Sequence, residues 1–203
     1  MTYPVLDSTA QATAHPAMHN TVVNVKANYG AVGDGTTDDT TAIQNAINAC
    51  ITTAAAASNT RKAVAKLVFP AGTYKTTSPL TVTSVQGLII EGAGAPATKI
   101  VGSATMSCVW NLNGFAISKM SGMMISGDST HVVTAGILYH WDSSLSNSSS
   151  YNSTFDNIYV EGNTLLCDNG WSVGTDNTAD VSDSTWINCR SAGGQTIGLW
   201  SDA

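Results

Sequence analysis

Val85-Gln86-Gly87-Leu88-Ile89-Ile90-Glu91-Gly92 decides the fold, because its pattern returns three more times along the chain. Residues 120–127 read MSGMMISG, 155–162 read FDNIYVEG and 186–193 read WINCRSAG. The shared frame is apolar, any, Gly or Asn, apolar or Cys, any, apolar or small, any, Gly. Successive copies are offset by 35, 35 and 31 residues. Self-similarity at a period of about 20–50 residues marks a solenoid, in which each unit covers its apolar face only by stacking on the next. The chain therefore reads as a coil with a strand in every turn.

Strand alternation assigns the columns. Val85, Leu88 and Ile90 face inward, as do Met120, Met123 and Ile125, then Phe155, Ile158 and Val160, then Trp186, Cys189 and Ser191; Gln86 and Glu91 face out. Gly87, Gly122, Asn157 and Asn188 share the third position. Gly and Asn tolerate left-handed backbone, so this column is expected to be a sharp bend, with Asn157 over Asn188 as a candidate amide ladder.

The 203 residues suffice for one domain built of a few such turns, and only 11% are charged. The net charge of −6 supplies no basic patch, which excludes phosphate-dominated nucleic-acid binding. No run approaches the ~20 apolar residues of a membrane span, and the first twenty residues lack the pattern of a secretory leader. Synthesis and folding in a cytoplasm are therefore expected. Cys50, Cys108, Cys167 and Cys189 show neither C-x-x-C spacing nor metal-like spacing with histidine, and read as structural thiols.

Residues 1–21 have no periodicity and read either as a tail or as an arm that attaches the domain to a larger assembly. Residues 22–203 form the repeat domain. Within it, residues 21–25 alternate like a first strand. Ile43, Ala46, Ile47, Cys50 and Ile51 then follow the spacing of an amphipathic helix, over about residues 37–57, with Thr37 or Asp38 as N-cap. One helix ahead of many strands is expected to cover the open first layer of the stack. Residues 64–69 and 73–76 read as strands about a Pro70-Ala71-Gly72 turn, and the serine-rich residues 142–153 as a projecting loop.

Tyr29-Gly30-Ala31, Gly33-Asp34-Gly35, Asp38-Asp39-Thr40, Ala42-Ile43-Gln44 and Ala46-Ile47, followed by Val68-Phe69-Pro70-Ala71-Gly72-Thr73-Tyr74 and Ile89-Ile90-Glu91-Gly92-Ala93-Gly94, resemble the N-terminal part of the pectate-lyase-like superfamily. That group includes phage tailspike depolymerases and rhamnogalacturonase- and epimerase-like proteins. The resemblance covers about residues 23–102. It implies an all-β fold, a right-handed parallel β-helix with an N-terminal capping α-helix. Members are longer, so a chain truncated after the fourth repeat is expected. Polygalacturonase-like members carry Asn-Thr-Asp, an Asp-Asp pair and Gly-His-Gly; Gly174-Thr175-Asp176-Asn177 matches the first only loosely and the others are absent. Asp38-Asp39 belongs to the cap motif and gains no catalytic role.

Glycoside hydrolysis needs two carboxyl groups about 5–5.5 Å apart for retention or about 6.5–9.5 Å for inversion. Glu91 and Glu161, placed in one column with Ser126 between them, would lie roughly 10 Å apart and read mainly as surface residues. A denser acidic group follows. Asp176, Asp180 and Asp183 are the candidate catalytic carboxylates, and Trp171, Asp168, Arg190 and Trp200 the candidate substrate-binding residues, because an indole packs on a pyranose face while carboxylates accept its hydroxyls. Trp186 is assigned to the core. No cofactor is expected, with a Ca²⁺ site of Asp oxygens left open.

Together these features and the resemblance point to a phage tailspike or tail-fibre β-helix that binds, and in some readings depolymerises, a host surface polysaccharide. It would sit in the virion tail as a homotrimer, docked to other tail proteins through residues 1–21. The alternatives are a secreted polysaccharide lyase or glycoside hydrolase of pectinase type, and a non-catalytic tail module.

Overall fold

A computed structural model describes residues 21–56, 65–140, 150–161, 166–173 and 181–192. The first turn contains β1 (Val22–Asn24), α1 (Val25–Tyr29), β2 (Asp34–Asp38) and α2 (Thr40–Ala56). The second contains β3 (Ala65–Phe69), β4 (Gly72–Thr76) and β5 (Leu80–Gln86), and the third β6 (Leu88–Gly92), β7 (Thr98–Gly102) and β8 (Met106–Ala116). Then come β9 (Lys119–Gly127), β10 (Val133–His140) and β11 (Ser150–Tyr151), followed by β12 (Thr154–Glu161), β13 (Leu166–Val173) and β14 (Val181–Ser182). β15 (Thr185–Ile187) and β16 (Arg190–Ala192) begin the sixth turn. Each strand pairs in parallel with strands of the neighbouring turns, and sequential turns stack. Parallel pairs joined by crossovers wind right-handed, so the chain is a right-handed parallel β-helix.

The helices form at the open end as their sequences dictate. Asn24 caps α1, its side-chain oxygen accepting from the amides of Lys26 and Ala27 at 2.9 and 3.0 Å, and Gly30 ends it at φ 75°. This single turn has no periodic signature, and the first strand is correspondingly shorter than the alternation suggested. The longer helix starts at Thr40, about three residues later than expected. Residues 34–38 pair with β4 as a short strand, so the cap position falls to Asp39. Its carboxylate turns back to accept from the amides of Val32 at 2.6 Å and Gly33 at 2.9 Å. Ile43, Ala46, Ile47 and Cys50 are fully buried, and α2 packs on β3 and β5. The expected cap is therefore in place.

Inside the coil, side chains of one kind stack layer upon layer. Leu67, Ile90, Met120, Phe155 and Trp186 occupy one column. Phe155 and Trp186 lie parallel, with centroids 4.1 Å apart, and Tyr139 meets Phe155 edge-on at 5.2 Å. Trp186 is a half-buried member of this core, as its repeat position suggested. Cys50 and Cys108 are buried, and Cys189 is half-buried against the core with its Sγ 3.4 Å from the Phe155 carbonyl.

The register corrects the alignment of the first repeat. The copies at residues 120–127, 155–162 and 186–193 are in phase, Met123 pairing with Ile158 and Ile125 with Val160. Val85, however, pairs with Phe115, and Met120 pairs with Ile90. The two bends per turn look alike in sequence, so Gly87 of one resembles the Gly and Asn residues of the other. One bend column is Gly87, Ile117, Asn152 and Asp183, with φ of 80, 49, 48 and 53°. The second is Gly122, Asn157 and Asn188, with φ of 68, 53 and 51°. Glu91 consequently stands in line with Ser121 and Asp156, and Glu161 with Ser126, so the two glutamates do not share a column.

Candidate functional site

A concave surface lies beside the second bend column. A cleft of about 280 Å³ is lined by Ala95, Pro96, Asn157, Tyr159, Asn188 and Arg190. Each element contributes for a local reason. The left-handed bend throws the Asn157 and Asn188 side chains outward in neighbouring layers. One strand residue later, alternation turns Ile158 into the core and Tyr159 out. Tyr159 pairs in register with Arg190, whose guanidinium carbon is 5.3 Å from the Tyr159 ring centroid. Cation and ring face hold each other in place. Ala95 and Pro96, in the connection from β6 to β7, complete its lining.

Towards the N-terminal layers the outward row runs from Arg190 through Tyr159 and Met124 to Lys99 and Thr73. The adjacent outward column holds Lys75, Val101, Ser126 and Glu161. Lys99 pairs with Glu161 at 3.3 Å. On the other outer strand face, Lys66 pairs with Glu91 at 2.8 Å and Lys119 with Asp156 at 3.0 Å. Glu91 and Glu161 are thus ion-paired surface residues.

Two further polar groups sit elsewhere on the coil. Asp128, after β9, accepts from the Ser103 hydroxyl at 2.7 Å, from the amides of Thr130 and His131, and contacts His131 Nδ1 at 2.8 Å. Its partial burial works to raise the carboxyl pKa, but these donors outweigh that and hold it well below the usual carboxylate range. On the outer face of the β5–β8–β10 sheet, His140 Nε2 lies 2.8 Å from Asn111 Oδ1, with Asn113 and Thr83 in the neighbouring register positions.

Of the residues proposed from sequence, Arg190 enters the cleft. Asp183 is exposed at the first bend column, separated from Arg190 by β15. Trp171 and Asp168 lie in β13, where Trp171 takes the register position beside Ile137 and Asp168 falls where the register with β10 slips. Asp176, Asp180 and Trp200 lie outside the described residues. Tyr159, Asn157 and Asn188 were not singled out as ligands. Tyr159 occupied a variable place in the repeat, and only layer register shows that it meets Arg190. Among the described residues no group of three His, Cys, Asp or Glu side chains could hold a metal ion, and no helix is long and apolar enough to cross a membrane.

Stacked parallel layers with a capping helix define a parallel β-helix protein. Residues 22–122 match the family described as rhamnogalacturonase A/epimerase, pectate lyase-like, and over this span the chain belongs to that family. Its fold is similar to two A-modules from Azotobacter vinelandii. The mannuronan C-5 epimerase AlgE6 module has a TM-score of 0.59 at 21% identity over 84% of this chain and 44% of the module. The AlgE4 module has a TM-score of 0.56 at 22% identity over 84% of this chain and 51% of the module. The Agl-KA catalytic domain matches at a TM-score of 0.54 and 21% identity, over 87% of this chain and 28% of that one. The chain thus spans about half or less of these structures, and at such identities the likeness is one of fold. No curated protein matches the chain in sequence.

Proposed function

We propose that this β-helix binds an acidic polysaccharide across the Tyr159–Arg190 cleft, as a surface-glycan-recognising module of the tailspike or tail-fibre type. One observation carries the proposal: a guanidinium held over a tyrosine ring, in an open cleft that two asparagines also line. Arg forks match carboxylate or sulfate oxygens, the amides exchange hydrogen bonds with sugar hydroxyls, and the ring offers an apolar face to a pyranose. The name of two fold relatives, mannuronan epimerase, supports a saccharide polymer as the ligand. A net charge of −6 disfavours an acidic ligand at long range, but screening over about 8 Å at physiological salt leaves the local cations in control.

In the tailspike setting the chain would trimerise and attach through residues 1–21. Cleavage, where it occurs, would fall to Asp176, Asp180 and Asp183. The test of binding is titration of the 203-residue chain with oligomannuronate, oligogalacturonate, a sulfated galactan and neutral dextran. Affinity for at least one acidic glycan is expected, with a loss of about tenfold or more in Arg190→Met and in Tyr159→Ala. Equal affinity in Arg190→Met, or preference for dextran, would overturn the proposal. Product release that vanishes in Asp176→Asn and Asp180→Asn at unchanged thermal stability would add the hydrolase or lyase activity.

A further inference from the structure

The three Lys–carboxylate pairs among the described residues are not alike. Lys66–Glu91 and Lys119–Asp156 each join neighbouring layers, since Lys66 pairs with Ile89 of β6 and Lys119 with Thr154 of β12. Lys99–Glu161 straddles a layer: Lys99 is in β7, Glu161 in β12, and β9 runs between them. Beneath the bridge lies Ser126, next to Val101 on one side and Glu161 on the other. Ile125 is in the core, so Ser126 points outward, yet it is only 3% exposed. Its hydroxyl is buried without a hydrogen-bond partner.

A buried hydroxyl without a partner is costly, whereas an ion pair whose members are 31% and 44% exposed contributes little. Replacing the bridge with something that satisfies Ser126 is therefore favourable on both counts. Resting on the glycan-binding function proposed above, we infer that Lys99, Ser126 and Glu161 form a second subsite closed by its own ion pair, which an acidic sugar residue opens. The sugar's carboxylate or sulfate takes the Lys99 ammonium from Glu161. A sugar oxygen accepts from the Ser126 hydroxyl, and the released Glu161 accepts from a ring hydroxyl. The row Arg190, Tyr159, Met124, Lys99 sets this subsite in line with the cleft, with Met124 between them. The layer spacing of about 4.8 Å is close to the length of one sugar unit, so the glycan lies along the coil axis.

The variants separate in sign. With the acidic oligosaccharide that binds wild type best, Glu161→Gln removes the competing anion and is expected to tighten binding about two- to fivefold. Lys99→Met is expected to weaken it about tenfold, and Ser126→Ala about fivefold. Ser126→Ala removes an unsatisfied group, so its unfolding temperature should stay level or rise while affinity falls, which a merely structural role would not produce. If Arg190→Met weakens binding but Glu161→Gln and Lys99→Met do not move it in opposite directions, the subsite is refuted and the cleft stands. If Arg190→Met has no effect, or wild type binds no acidic glycan, both fall.

Discussion

Among the described residues, Ile117 is the β-branched one held in left-handed backbone. It sits at φ 49° in a column otherwise made of Gly87, Asn152 and Asp183, and its side chain is 49% exposed. Left-handed backbone costs a β-branched residue about 1–2 kcal/mol, and little burial offsets it. Ile117→Asn should therefore stabilise the fold by about 1 kcal/mol, seen as a higher urea midpoint at unchanged slope; an unchanged or lower midpoint would mean that Ile117 makes a compensating contact. Asp128 gives a pH test. Its pKa is depressed in the folded state, so its contribution is present above the unfolded value of about 3.9 and is lost as pH falls below it. Stability should decline as the pH drops below about 4, and Asp128→Asn should flatten that decline. A parallel decline in the variant would assign the acid sensitivity to other carboxylates.

At the scale of elements, the capping helix depends on Asp39 and on the buried face of α2. Asp39 is 1% exposed and accepts from two part-buried amides, so Asp39→Ala removes the acceptor of both and should cost about 2 kcal/mol in chemical denaturation. Cys50 reports on docking, because burial pushes its thiol pKa up to about 11. Alkylation of Cys50 at pH 8, followed by peptide mass spectrometry, should be negligible in the native protein and appear only when α2 detaches. These elements were legible in advance where chemistry is local: the 3.6-residue spacing of Ile43, Ala46, Ile47 and Cys50, and the Gly or Asn bends at residues 122, 157 and 188. The exact start of α2 was not, since residues 34–38 form a strand only by pairing with β4. Nor was the first bend column, where Ile117 hides a left-handed position that sequence preference would assign to glycine or asparagine.

Over the whole molecule, the repeat revealed the coil and its inward columns, because every turn solves the same burial problem with the same alternation. The candidate site was less legible. Arg190 stood out by charge, but its partner Tyr159 is 31 residues earlier and becomes a neighbour only through the pairing of β12 with β16. The straddling Lys99–Glu161 bridge spans 62 residues and depends on the register of three layers. Close contact between layers is equally global: a Cβ on Gly92 would collide with the Gly122 carbonyl of the next turn, so Gly92→Ala should fail to give soluble, cooperatively unfolding protein. Glycan recognition at the Tyr159–Arg190 cleft is tested most directly by backbone amide shifts of the labelled chain during titration with an acidic oligosaccharide. Shifts centred on Asn157, Tyr159, Asn188 and Arg190 and spreading to Lys99 are expected. Shifts confined to the His140–Asn111 face, or to the Asp128–His131 turn, would contradict it.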